Sequence, residues 1–156
     1  AEDYIIGTAN GMSRFDPELG IRDIEATIRA ARALVGGGKV GVVGFCLGGR
    51  MAYLAATRTD ADASVAYYGG GIDQLLGERN AIGKPLMLHF AENDGFINAA
   101  ARAAVHEALD DNRHVTILDY PGVDHGFATT TGKRRNDTAA RLADQRTEAF
   151  FKEHLL

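Results

Sequence analysis

The chain has 156 residues, of which 46% are hydrophobic and 24% are charged, so it is long enough for one domain around a single core. Its formal net charge of -4 argues against a nucleic-acid-binding protein, which normally carries a clustered basic excess. No apolar run approaches the roughly 18 residues that cross a membrane, and the first residues lack the pattern of a signal peptide. One cysteine cannot form an internal disulfide or a cysteine zinc site, so we expect a reducing, cytoplasmic setting without membrane or nucleic-acid partners.

The first predicted element is an amphipathic helix that begins after Asp16 and ends before the three glycines at 36–38. Asp16 suits an N-cap and Pro17 suits the first helical position, while glycine is the residue that most readily ends a helix. The apolar residues recur at three- and four-residue spacing and predict one buried face: Ile21, Ile24, Ile28, Ala31 and Val35. The first 14 residues show no clear period and receive no assignment.

Strands and helices then alternate to the end of the chain. Apolar runs at 39–45, 63–68 and 85–91 predict strands buried on both faces, and a fourth strand is predicted at 115–120. Helices are predicted over 50–58, 98–110 and about 136–154. The last helix is expected to face inward with Leu142, Ala143, Arg146, Ala149 and Phe150. This alternation predicts an α/β fold with a mostly parallel sheet, in a single domain over residues 1–156.

The strongest chemical signal lies between the first predicted strand and its helix, at residues 44–49, which read Gly-Phe-Cys-Leu-Gly-Gly. A nucleophile flanked by glycines can occupy a sharp strand-to-helix turn that exposes it at the top of the sheet. The nucleophile would be the thiol of Cys46, because a helix N-terminus favours the thiolate. The backbone amide of Leu47 lies where an oxyanion donor is expected.

Other interpretations of this turn remain open. A phosphate-binding loop also begins with glycines at this spacing, but it continues with Lys and Ser/Thr, where this chain has Arg50 and Met51. Cys46 could instead be a small buried side chain, which is the usual fate of a free cysteine. The alternatives to an enzyme are therefore a non-catalytic fragment and a flavodoxin-like domain that holds an anion or cofactor at the helix start.

Two further residues complete a possible catalytic triad with Cys46. Asp94 follows the third predicted strand and His125 follows the fourth, in the order nucleophile, acid, histidine that this architecture uses. Ligand sites of open α/β sheets lie at those strand ends. Glu92 and Asp124 are the fallback carboxylates. The histidines at 89, 106, 114 and 154 lack the spacing of a metal site, so we expect packing or surface roles for them.

Four stretches make the chain resemble the dienelactone hydrolase family (carboxymethylenebutenolidases) of the α/β-hydrolase superfamily: residues 38–49, 66–69, 93–96 and 124–127. The similarity runs from about residue 15 to the C-terminus. The resemblance implies an α/β-hydrolase-type sheet with flanking helices. It also implies that Cys46 is the nucleophile, His125 the general base and Asp94 its orienting carboxylate, with Tyr67 and Phe96 near the pocket. The implied activity is cleavage of a small-molecule ester or lactone through a cysteine thioester, without a cofactor or metal.

The sequence departs from the family pattern in two respects. The family binds the substrate carboxylate with arginines, but Thr129 stands where one is expected and Arg14 is out of register with the other. Family members also carry further N-terminal strands, which supply a second oxyanion amide and a glutamate beside the cysteine, and this sequence begins after them. We therefore expect an N-terminal segment or a second chain to complete the sheet. The basic run 133–135 is expected to be a solvated helix entrance.

Overall fold

Four parallel strands form the centre of the protein in the computed structural model, which describes residues 14–156. The strands hydrogen-bond to one another in chain order: β1 (Gly41–Phe45), β2 (Ala63–Tyr67), β3 (Leu86–Ala91) and β4 (Val115–Tyr120). The pairing register sets Phe45 beside Tyr67 and Tyr67 beside His89. The predicted α/β class and the parallel sheet are confirmed, and all four strands occur where the sequence predicts them.

Four helices flank the sheet: α1 (Pro17–Leu34) precedes β1, α2 (Leu47–Arg58) connects β1 to β2, α3 (Ala99–Leu109) connects β3 to β4, and α4 (Asp137–Leu155) follows β4. A 3₁₀ segment at Ile72–Ala81, which the sequence analysis did not predict, follows β2. α2 begins three residues earlier than expected because the strand turns directly into the helix. Within residues 14–156, no helix combines the length and apolar character needed to span a membrane.

The first helix behaves largely as predicted. The carboxylate of Asp16 accepts a hydrogen bond of 2.9 Å from the amide of Glu18, which satisfies one of the unpaired donors at the helix start. Ile21 and Ile28 are buried, and Ile21 packs with apolar residues of α2. Val35 is exposed, so its predicted inward orientation is wrong, since it lies beyond the last helical residue.

The main core lies between the sheet and the helices around it, and β2 and β3 are buried along their whole length. Ala143 and Phe150 of α4 face this core as predicted. Leu142 and Ala149 are exposed, so the predicted inward face of α4 was too wide. The reason is geometric: only one stripe of a helix on a sheet is covered, and these two residues lie beside that stripe.

A row of hydrogen-bonded polar side chains joins the sheet to α4, buried on the sheet and more exposed toward the helix. The imidazole of His89 lies 2.8 Å from the hydroxyl of Tyr120 through Nδ1, and 3.0 Å from the hydroxyl of Thr147 through Nε2. The hydroxyl of Tyr67 lies 2.7 Å from that of Thr147 and donates to Asp144 at 3.1 Å. Burial lowers the pKa of His89 to about 3, so its ring is neutral.

Among the described residues, β1 has a neighbouring strand on one side only. Val43 and Phe45 are 47% and 46% exposed along this edge, so the prediction that this strand is buried on both faces is wrong, because nothing among the described residues pairs with its outer side. A cavity of about 370 Å³ opens beside it and is lined mainly by apolar residues, including Ile24 of α1, Val42 of β1, Met51 of α2 and Phe15, which precedes α1. An apolar sheet edge of this kind is normally paired or covered.

Candidate active site

The turn between β1 and α2 holds Cys46 in a backbone conformation that few residues other than glycine adopt, with φ 56° and ψ -116°. The sharp turn leaves no room for side chains on either side. A Cβ atom at Gly44 would lie 1.9 Å from the carbonyl oxygen of Gly48, and one at Gly49 would lie 2.5 Å from that of Tyr67. Gly44 and Gly49 are therefore required, because any side chain at these positions would overlap the backbone. The residue in the strained conformation between them, Cys46, is the candidate nucleophile.

The loops after β3 and β4 bring Asp94 and His125 together. Nδ1 of His125 lies 2.9 Å and 3.1 Å from the two carboxylate oxygens of Asp94, and both residues are buried. One of those oxygens also accepts hydrogen bonds from the amides of Phe96 and Ile97, at 2.8 Å and 3.0 Å. The carboxylate is therefore fixed within its own loop, and it leaves Nε2 of the histidine for another partner.

The thiol of Cys46 is half-buried, and it interacts with the imidazole of His125. Hydrogen bonding with His125 is the largest influence on the thiol, and it lowers its pKa below the ordinary value, with help from the amide of Leu47 and against the effect of burial. On His125, burial opposes the positive charge, but Asp94 and Cys46 together raise the pKa of the imidazole to about 9. Both shifts favour a thiolate beside an imidazolium at neutral pH.

The two aromatic residues predicted near the pocket, Phe96 and Tyr67, lie in different environments. Phe96 is 70% exposed, and its ring meets that of His125 edge-on with centroids 4.8 Å apart. Tyr67 is buried, and its hydroxyl bonds Thr147 on the α4 side of the sheet. The tyrosine that lies against the histidine is Tyr68, at 4.9 Å between ring centroids.

Sequence reasoning missed Tyr68 because it follows the last residue of β2. It has φ 38°, so the regular alternation of strand side chains ends there. Burial of its hydroxyl raises the pKa of Tyr68 to about 12, which keeps the phenol protonated at neutral pH. The tyrosine pair followed by glycine at 69–71 was the available signal, because a run of glycines after a strand marks the point where alternation fails.

The cations around the site are few. Arg134 holds its guanidinium 5.6 Å above the ring of Phe96, so one residue of the basic run 133–135 is at the site rather than only at a helix entrance. Nε of Arg50 is buried without a hydrogen-bond partner among the described residues, where the side chain packs on the turn at Gly71. Thr129 and Arg14 are exposed.

The other histidines lie away from the triad. His89 belongs to the polar row, and His106 bonds Asp110 and Asp119 on the surface. Over the described part of the chain, no three metal-ligating side chains come close enough together to hold an ion.

The sequence profile of the dienelactone hydrolase family matches residues 6–155, which is nearly the whole chain. The chain belongs to the dienelactone hydrolase family. A candidate carboxymethylenebutenolidase of Azospirillum brasilense is 51% identical over 109 residues, which cover 70% of this chain and 47% of that protein. The carboxymethylenebutenolidase of Pseudomonas putida is 37% identical over 138 residues, which cover 88% of this chain and 58% of that protein. The chain thus spans about half the length of these curated relatives.

Solved structures agree on the fold of this dienelactone hydrolase family member. A dienelactone hydrolase candidate from Klebsiella pneumoniae superposes with a TM-score of 0.82 at 24% identity, over 91% of this chain and 64% of that one. An esterase from Pyrococcus furiosus gives 0.70 at 16% identity, over 87% and 62% of the two chains. The α/β-hydrolase-type architecture is confirmed, and the flavodoxin-like interpretation of the turn is not needed to explain the sheet.

Proposed function

We propose that this protein hydrolyses a small-molecule ester or lactone, with Cys46 as the nucleophile. The observation that supports the proposal is the hydrogen bond between Asp94 and Nδ1 of His125, because this pair, together with the lowered pKa of Cys46, makes the imidazole a suitable acceptor for the thiol proton. Family membership supports the same reaction class. The whole protein's substrate is inferred, since the chain spans only part of its relatives.

The reaction follows from these roles. The thiolate of Cys46 attacks the carbonyl carbon, and the amide of Leu47 donates to the oxyanion that forms. The imidazolium of His125 gives its proton to the departing alkoxide, which leaves a thioester on the cysteine. A water molecule then attacks the thioester while the imidazole takes its proton, and the carboxylic acid and the thiolate are released. Asp94 holds the imidazole in the tautomer that both steps need.

The test uses the full-length protein with p-nitrophenyl acetate. The variants Cys46→Ala and His125→Gln should each reduce kcat/KM by about a thousandfold or more, and Asp94→Asn should also be severe. Rapid quenching of the wild-type reaction should reveal a mass increase of one acetyl group on Cys46. Near-normal turnover by Cys46→Ala would show that the covalent mechanism is wrong.

We also propose that residues 1–156 are part of a single hydrolase domain, whose sheet is completed beside β1 by an N-terminal segment or a second chain. The support is the exposed apolar edge at Val43 and Phe45, together with the greater length of the relatives. Covering roughly 300 Å² of apolar surface at about 25 cal/mol per Å² would contribute about 7.5 kcal/mol, comparable with the whole stability of a domain.

This second proposal is tested by expressing residues 1–156 alone. We expect poor solubility, broad thermal unfolding and little esterase activity, because the edge would be open and the second oxyanion donor would be lacking. A soluble, cooperatively unfolding and active monomer would show that no further strands are needed.

A further inference from the structure

The two loops that carry the triad acid and the histidine are joined by a carboxylate outside the triad. Oδ1 of Asp124 accepts a hydrogen bond of 2.6 Å from the amide of His125, which is the next residue. The same oxygen accepts a second one of 3.1 Å from the amide of Gly95, in the loop that follows β3. Gly95 in turn is the residue after Asp94, so this single oxygen links the backbones on which both triad residues are held.

A second carboxylate makes the same kind of link nearer to the sheet. Oε2 of Glu92, just after β3, accepts a hydrogen bond of 2.7 Å from the amide of Gly122, just after β4. Between the two carboxylates, the amide of Asn93 donates to the carbonyl oxygen of Val123 at 2.9 Å. The loops are therefore connected at three successive points beyond the ends of the strands.

We propose that Asp124 and Glu92, here called the bridging carboxylates, are positioning residues that set the register between the acid loop and the histidine loop. The inference rests on the proposed function, because it concerns the same triad. The side-chain hydrogen bonds of both residues within residues 14–156 are to backbone amides. Both act through the backbone, and each carries a charge that strengthens its bonds to amide donors.

The geometry explains why this register matters. Asp94 is already fixed on its own loop by two amides, so it cannot follow His125 if the second loop shifts. Its bonds to Nδ1 are 2.9 Å and 3.1 Å long, near the optimum, and a displacement of the loops would lengthen them directly. Displacements of about 1 Å in an active site can cost roughly a hundredfold in rate.

The test compares Asp124→Ala with Asp124→Asn in the full-length protein. The alanine variant loses both bonds from its oxygen, whereas asparagine retains a carbonyl oxygen that can accept them. We expect Asp124→Ala to lower kcat for p-nitrophenyl acetate by about ten- to a hundredfold with little change in KM, and Asp124→Asn to restore most of the rate. Asp111→Ala, which removes an exposed carboxylate outside the site, is the matched control and should retain the wild-type rate.

A second measurement separates positioning from general stability and from the proposed function itself. The rate of Cys46 alkylation by iodoacetamide as a function of pH reports the thiolate without requiring hydrolysis. In Asp124→Ala this profile should move toward that of an ordinary thiol, while Asp111→Ala should superpose on the wild type. A hydrolytically inactive wild type would overturn the proposed function and leave this readout intact.

The inference is overturned if the alkylation profile of Asp124→Ala superposes on that of the wild type. It is also overturned if Asp124→Asn fails to restore the kcat that Asp124→Ala loses, because the loss of the accepting oxygen would then not explain the lower rate. Should Asp124→Ala fail to fold, Glu92→Ala decides the matter, since it releases the same register at the neighbouring contact with Gly122.

Discussion

Replacing Gly44 with alanine should distort the turn on which Cys46 sits. The added Cβ would lie 1.9 Å from the carbonyl oxygen of Gly48, and carbon atoms of this kind essentially never come within 3.0 Å of another heavy atom. The nearest atoms all belong to the backbone of Gly48 and Gly49, so no side chain can rotate away to relieve the overlap. The strand end and the helix start must therefore separate by about 1 Å or more.

Two measurable losses follow from that displacement. Overpacking a close-packed site typically costs about 1–3 kcal/mol, so the free energy of unfolding should fall by that amount. The thiol moves with the turn, and a shift of about 1 Å relative to His125 should reduce esterase kcat by roughly a hundredfold. The loss of activity should exceed what the fraction of unfolded protein explains.

The assay is chemical denaturation of Gly44→Ala, followed by esterase kinetics under conditions where the variant is folded. Gly77→Ala is the matched control, because a Cβ at that position has no heavy atom within 4 Å and the residue lies in the 3₁₀ segment. It should retain activity and gain up to about 1 kcal/mol of stability. If Gly44→Ala behaved like this control, the steric account of the turn would be refuted.

Two further predictions concern charge. The pKa of Cys46 is lowered and that of His125 is raised to about 9, so the rate at which iodoacetamide alkylates Cys46 in the wild type should stay high from pH 9 down through pH 7. In His125→Gln the alkylation rate should fall steeply over the same interval. With Thr129 in place of an arginine, neutral p-nitrophenyl acetate should have a kcat/KM at least equal to that of an anionic hemisuccinate ester, because losing one arginine–carboxylate contact costs about 1.5–3 kcal/mol. A clear preference for the anion would contradict this and would identify Arg134, above Phe96, as the replacement cation, which Arg134→Gln would test.

The sequence predicted the strands well because their signal is local. All four strands were found where expected, and the apolar runs without alternation at β2 and β3 are buried along their whole length, whereas β1 is partly exposed. The sequence also indicated that Cys46, Asp94 and His125 follow three of the strands, now seen to be β1, β3 and β4, and parallel strands place their carboxyl ends at one edge. The sequence did not reveal the distances between these residues or their shifted pKa values, because both depend on how the loops meet in space.

The features that the sequence did not reveal have a common physical origin. The position of Tyr68 against the histidine depends on the residue at which β2 ends, because a change of one residue moves a side chain to the opposite face. The exposure of Leu142 depends on how far α4 is rotated on the sheet, which only tertiary packing decides. The role of Asp124 rests on an amide from another loop, for which a single sequence carries no local signal.

The polar row between the sheet and α4 has one arrangement of its protons that satisfies all four of its hydrogen bonds. Asp144 can only accept, so the hydroxyl hydrogen of Tyr67 is committed to it, and Thr147 must donate to the tyrosine oxygen. Thr147 then accepts from His89, which places the ring hydrogen on Nε2 and leaves Nδ1 to accept from Tyr120. One carboxylate on α4 thus selects the tautomer of a histidine in the middle of the sheet, and Asp144→Asn, which adds a donor at this end, would allow the whole row to reverse its direction.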